Sequence, residues 1–168
     1  RVINKVNQEV DRKHNKKVPI LRPRLISDSS ALQTLLTNLM GFKKSIAPVA
    51  LDTETTSLNP FNAELVGLGF CWGESVEEVA YIPIGHKQGS ELNINKIENQ
   101  LSLELVINTL GPWLSSPEHP KTLQNAKYDR LILLRHGIEL KGVVLDTLLA
   151  DYLRNSNDKH GLEAIAER

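Results

Sequence analysis

Two carboxylates, Asp52 and Glu54, close the apolar run Ala47-Pro48-Val49-Ala50-Leu51. In an extended strand, side chains alternate between faces. Val49, Leu51 and Thr53 then point one way, and Ala50, Asp52 and Glu54 the other. The two acids lie roughly 6–7 Å apart along one face of a strand that is otherwise apolar. Like charges this close in a poorly hydrated place are costly unless a cation neutralises them or one takes a proton. A hard divalent cation, which prefers oxygen ligands, meets that need. The alternative is a strand that has simply reached solvent, where Asp and Glu are ordinary.

A third acid comes in Gln124-Asn125-Ala126-Lys127-Tyr128-Asp129-Arg130. Asn125 and Asp129 stand at i and i+4, so they share one face in the first turn of a helix. Asn125 suits an N-cap equally well, and Asp129 a charge favoured by the helix N-terminus. Tyr128 can stack on a base or donate its hydroxyl, or be a core aromatic with a wet edge. Asp146, after Val143-Val144-Leu145, reads as an N-cap. The five histidines show no HxH or HExxH spacing, which argues against an imidazole metal site. The single Cys71 rules out an internal disulfide and a CxxC zinc site, and reads as a small buried hydrophobe.

The elements that must carry these residues are set by periodicity. Ser27-Asp28-Ser29-Ser30 offers N-caps to a helix over 31–40, with Leu32, Leu35, Leu36 and Leu39 at helical spacing and Gly41 as its stop. Strands are expected at 49–55, 65–72 and 79–84, joined by short connections that favour an antiparallel meander. Residues 87–100 are polar and read as a surface loop. A helix over 101–114 is expected to break near Gly111-Pro112. Then come a short strand at 122–125, a helix over 126–136 ended by Gly137, a strand at 143–145, a helix over 147–154 and another opening at 161. A meander followed by strands alternating with helices predicts an α/β fold: a mixed five-stranded sheet, antiparallel meander plus parallel strands, with helices on both faces. Sites in open sheets of this kind form beyond the carboxyl ends of strands, where Asp52 and Glu54 lie.

The chain has 168 residues and zero net charge, with 40% hydrophobic and 24% charged residues, an ordinary globular composition. No apolar run approaches the roughly 20 residues of a membrane span. Residues 1–24 carry eight Lys or Arg against Glu9 and Asp11, an excess of six positive charges that the rest of the chain offsets. We read 1–24 as a basic linker or tether and 25–168 as one domain. The chain begins at Arg1 and its only methionine is Met40, so a piece of a longer protein is expected. No signal peptide is visible, and a reducing cytoplasm fits the single cysteine.

Leu51-Asp52-Thr53-Glu54-Thr55-Thr56-Ser57-Leu58 resembles the first exonuclease motif of the bacterial DNA polymerase I family, and the 124–130 segment is similar to its second. The stretch Leu145–Leu153, with Asn155-Ser156 and His160-Gly161-Leu162 to Arg168, resembles the family's sequence downstream of that second motif. The resemblance implies a 3'→5' proofreading exonuclease on a ribonuclease-H-like fold, with two Mg²⁺ or Mn²⁺ ions held by four acids. By motif match, Asp52, Glu54 and Asp129 are three of these acids, both catalytic and metal-ligating. Thr55, Leu58, Asn125 and Tyr128 match substrate-binding positions, with Leu58 against the terminal bases. The fourth acid belongs to a Tyr-x-x-x-Asp motif expected beyond Arg168; within the sequence the late tyrosine is Tyr152, and position 156 is Ser. The implied partners are a single-stranded DNA 3' end and a polymerase domain in the same parent chain. A monomer in the bacterial cytoplasm, nucleoid-associated and without membrane contact, is expected. By itself this chain is expected to be weakly active or inactive. A ribonuclease D-like RNA-processing exonuclease and a non-catalytic DNA-holding spacer are the alternatives.

Overall fold

The computed structural model describes residues 23–42, 47–73, 75, 77–90, 93–96 and 99–168. Most of the 1–24 tether therefore lies outside the described residues. Arg24 does not: β1 (Arg24–Leu25) pairs in parallel with β4 (Val79–Pro83), at Arg24↔Ala80 and Leu25↔Tyr81. Arg24 also donates to the Glu77 carbonyl and stacks over Trp72, 5.5 Å from the ring centroid. A two-residue edge strand carries no periodicity, so patterning missed it.

The main sheet has six strands, one more than expected, in the spatial order Arg24–Leu25, Val79–Pro83, Leu65–Cys71, Val49–Thr55, Lys121–Leu123, Val143–Asp146. At its centre are β2 (Val49–Thr55) and β3 (Leu65–Cys71), antiparallel, with β4 continuing the predicted meander. On the other side β7 (Lys121–Leu123) and β8 (Val143–Asp146) run parallel to β2. The alternation in β2 is as predicted: Val49, Leu51 and Thr53 are buried, while Asp52 and Glu54 are exposed.

Three helices pack on the buried face: α1 (Ser29–Gly41), α2 (Leu103–Leu114) and α3 (Ala126–Arg135). Asp28 caps α1 through the Ala31 N–H at 2.9 Å. Leu32, Leu35 and Leu39 of α1 meet Val106, Leu110 and Trp113 of α2, whose indole donates to the Leu39 carbonyl. Ile132 and Leu133 of α3 join this core, whereas Leu134 is exposed. The expected break in α2 is absent. Pro112 forfeits one hydrogen bond in the last turn, but Trp113 and Leu114 beyond it are wholly buried, and that burial outweighs the loss. Gly111 belongs there because a Cβ would come 3.0 Å from Ile138 Cδ1.

The opposite face is flanked by α4 (Thr147–Arg154) and α5 (Leu162–Ala166), where Thr147 and Leu162 border a surface built by Ala50, Gly69, Cys71 and Val79. Cys71 is half-buried on this surface rather than buried in the core, because it shares the face of Ala50 and Asp52. Residues 87–100 contain a hairpin, β5 (Lys87–Ser90) and β6 (Asn93–Lys96), where a loop was expected. A two-stranded ribbon outside the main sheet is held by its backbone ladder, which polar sequence does not advertise.

Lys121, on the strand beside β2, is a polar residue the sequence does not flag. It is 0% exposed, and its ammonium donates to the carbonyls of Ser116 and His119 and lies 4.3 Å from the Trp113 ring centroid. Burial lowers its pKa to about 8.

Candidate active site

All seven residues nominated from the sequence, Asp52, Glu54, Thr55, Leu58, Asn125, Tyr128 and Asp129, line one open cleft of about 600 Å³. Thr53, Thr56, Ser57 and Gln124 complete its walls. The C-terminal end of β2 supplies one wall and the first turn of α3 the other.

The wall on α3 is set by a residue distant in the chain. Asn125 sits in the left-handed region at φ 63°, which Asn tolerates better than most residues, and its side chain makes no cap. The cap comes instead from Asp146, whose carboxylate accepts from the Asn125 and Ala126 N–H groups at 3.1 and 2.8 Å. The same carboxylate caps α4 through Leu148 and Leu149. Asp146 is thus the N-cap expected for 147–154, and the cap of α3 as well. The Asn125 side chain is left exposed at the cleft.

Asp129 is 3% exposed. Its carboxylate accepts a 2.7 Å hydrogen bond from Thr53, the residue between the two strand acids that faces the helices. Sequence reading gave Thr53 no role; its signal was the small hydroxyl at the inward position of an acid-x-acid triplet. Burial pushes the Asp129 carboxyl up to about 6, the Asp52 charge adds to the rise, and the Thr53 hydrogen bond opposes it. Asp52, although it stands on the exposed side of the strand, is also raised, by its partial burial first and by Glu54 second.

Tyr128 uses its hydroxyl internally. It donates to the Ser57 carbonyl and lies 2.5 Å from Thr55 Oγ1. At the far end of α3, Arg135 donates to the carbonyls of Pro60 and Ala63. The 57–63 loop is therefore fastened at both ends to α3, and it presents Leu58, 96% exposed, at the rim of the cleft. Gln124 donates to the His160 carbonyl and accepts from Thr147, which ties the 155–160 segment to the cleft wall. That segment is further held by Asp151, which binds Arg154, His160 and Arg168.

Among the described residues, no three His, Cys, Asp or Glu side chains converge closely enough to enclose an ion as they stand. The donor chemistry nonetheless fits one. The acids in the cleft offer oxygen only, and burial and mutual repulsion drive two of them towards protonation. A hard divalent cation reverses both effects.

Comparison with known proteins gives the chain a family. The 3'-5' exonuclease family pattern of the A-type DNA polymerases matches residues 23–168. The chain is 43% identical over 148 residues to DNA polymerase I of Synechocystis, covering 88% of this chain and 14% of that protein. In fold it is similar to Escherichia coli ribonuclease D, with TM-score 0.57, 17% identity, and coverage of 87% of this chain and 32% of that one. It is also similar to Brucella melitensis NrnC with bound Mg²⁺, with TM-score 0.51, 23% identity, and coverage of 74% and 54%.

Proposed function

Because the chain belongs to the 3'-5' exonuclease family, we propose that its cleft hydrolyses the 3'-terminal phosphodiester of single-stranded DNA, as the proofreading domain of a DNA polymerase I. The observation that carries this reading is the placing of three carboxylates, an exposed leucine and the Asn125–Tyr128 turn around one cleft. The chain spans 14% of the Synechocystis relative, and a polymerase domain in the same parent chain is part of the proposal. So are a monomeric state and a bacterial cytoplasmic, nucleoid-associated setting. Among the described residues no helix is long and apolar enough to cross a membrane.

Asp52, Glu54 and Asp129 would hold two divalent ions, Mg²⁺ or Mn²⁺. What such ions supply when bound is activation of water and stabilisation of the leaving 3'-oxygen. The chain's own residues do the rest. Thr53 holds one Asp129 oxygen through its 2.7 Å hydrogen bond. Leu58 packs against the terminal base, which favours frayed or mispaired ends because unpairing them costs less. Asn125, with its side chain free of capping duty, and Thr55 contact the terminal nucleotide. Tyr128 presents its ring there while its hydroxyl pins the Leu58 loop.

The test is Asp52→Ala in the full parent chain, assayed on a 3'-labelled single strand with Mg²⁺. Loss of digestion is expected; undiminished cleavage sinks the assignment. Faster digestion of RNA than of DNA moves it to a ribonuclease D type of activity.

A further inference from the structure

Tyr81 and His86 form a polar pair on the strand side of the sheet, with ring centroids 5.8 Å apart. On β4, Tyr81 stands in the same cross-strand row as Gly69 and Asp52. Gly69 places no side chain between them; its Cβ, if present, would lie 3.8 Å from Asp52 Cβ. From this row the Tyr81 ring leans across Gly67. A Cβ on Gly67 would fall 1.9 Å from the phenolic oxygen and 2.4 Å from Cζ. The hydroxyl thus occupies the place a side chain at 67 would take.

Gly67 is the cross-strand partner of Glu54. Side-chain positions directly opposite in an antiparallel pair are about 4.5–5.5 Å apart at Cβ. The Tyr81 hydroxyl is therefore next to Glu54 on the same face of the sheet, within reach of a carboxylate on a two-carbon arm. Behind it, His86 Nε2 is 2.5 Å from the phenolic oxygen. The His86 backbone is held in place, since its N–H donates to Gln100 Oε1 at 2.7 Å and its carbonyl accepts from Gln100 Nε2 at 2.9 Å.

Resting on the proposed function, in which Glu54 is an ion ligand, we propose that Tyr81 is a positioning residue for Glu54. His86 donates its Nε2 hydrogen to the phenolic oxygen, and the phenolic hydrogen is donated to the Glu54 carboxylate. A phenol has one hydrogen, so the imidazole must be the donor on its other side for the chain to run towards the acid. Such a chain holds the carboxylate in one rotamer and orients its remaining lone pairs towards the cleft, as outer-sphere partners of metal ligands do. The bare positions at 67 and 69 are what make the approach possible.

The test measures Mn²⁺ binding to this chain by calorimetry. Tyr81→Phe keeps the ring over Gly67 and removes only the hydroxyl. It is expected to weaken Mn²⁺ binding about tenfold with an unchanged melting temperature of the ion-free chain. The loss should be non-additive with Glu54→Gln and additive with Asp129→Asn, a pattern that a purely structural tyrosine does not produce. His86→Ala should reproduce the Tyr81→Phe loss and add nothing to it. Wild-type affinity in Tyr81→Phe, with binding abolished by Asp52→Ala, overturns this inference and leaves the ion centre standing. Binding unaffected by Asp52→Ala overturns the ion centre and this inference with it.

Discussion

Asp129→Asn should make the ion-free protein more stable at neutral pH. The carboxyl is 3% exposed, and burial lifts its pKa from 3.8 to about 6. Each unit is worth about 1.4 kcal/mol, so the rise of about two units corresponds to about 3 kcal/mol. The direction comes from proton binding. Below pH 3.8 the carboxyl is protonated in the folded and unfolded chain alike, and it costs nothing. Between 3.8 and 6 the unfolded chain gives up the proton while the folded chain keeps it, so stability falls as pH rises. Above 6 the full penalty persists. Asparagine has the same shape and can still accept the Thr53 hydrogen bond, but it carries no charge. Chemical denaturation in EDTA should therefore show the variant ahead by about 3 kcal/mol at pH 7.5 and level with wild type at pH 3.5. Adding Mg²⁺ at pH 7.5 should return the lead to wild type, because an ion that binds only the folded state stabilises it by mass action. A variant no more stable than wild type at pH 7.5 in EDTA would refute the view that Asp129 is held charged against its surroundings.

Three further outcomes concern other residues. Burial lowers Lys121 from 10.5 to about 8, so wild type should gain about 3 kcal/mol on Lys121→Met as pH rises from 8 to 10.5, where only the unfolded chain keeps the proton; a difference constant across that range in the same denaturation experiment would contradict it. Asp146→Ala strips a cap from two helices and should cost roughly 1–4 kcal/mol, at about 0.5–2 per cap, with Asp146→Asn recovering part; a cost below about 0.5 would show that water replaces it readily. Leu58→Ala should leave stability within about 0.5 kcal/mol, since the side chain is 96% exposed, yet weaken binding of a single-stranded DNA 3' end by roughly 1–2 kcal/mol. Equal affinity in a binding titration would remove Leu58 from the substrate path.

The strand at 49–55 was legible because its two faces differ, one apolar and one acidic, and alternation reports that directly. The helix at 126–135 was legible from its apolar spacing and from Gly137, which takes the positive φ of 78° that ends it. What stayed hidden depends on partners distant in sequence. Asp146 caps a helix whose N-cap residue, Asn125, lies twenty-one residues before it in the chain. Thr53 looks like an ordinary strand residue until Asp129 is brought against it. Tyr81 lies inside the strand expected at 79–84 with nothing in its neighbours to single it out, and its nearness to Glu54 arises from side chains that glycine lacks. The hairpin at 87–96 and the pair at 24–25 rest on backbone bonds, which side-chain patterns do not encode.

The fastening of the 57–63 loop to α3 has a consequence for where a strand would be cut. Tyr128 grips the loop at Ser57, Arg135 grips it at Pro60 and Ala63, and Asp129 projects from the same helix. Leu58 and one of the acids are therefore mounted on a single helix. On the proposed function, that helix would act as a gauge, setting how far the cleaved bond lies from the last base. Lengthening the loop between its two anchorages would alter the setting of the gauge while leaving the acids untouched. The fault to look for in such a variant is a shift in the size of the released product, read on a gel, before any loss of rate.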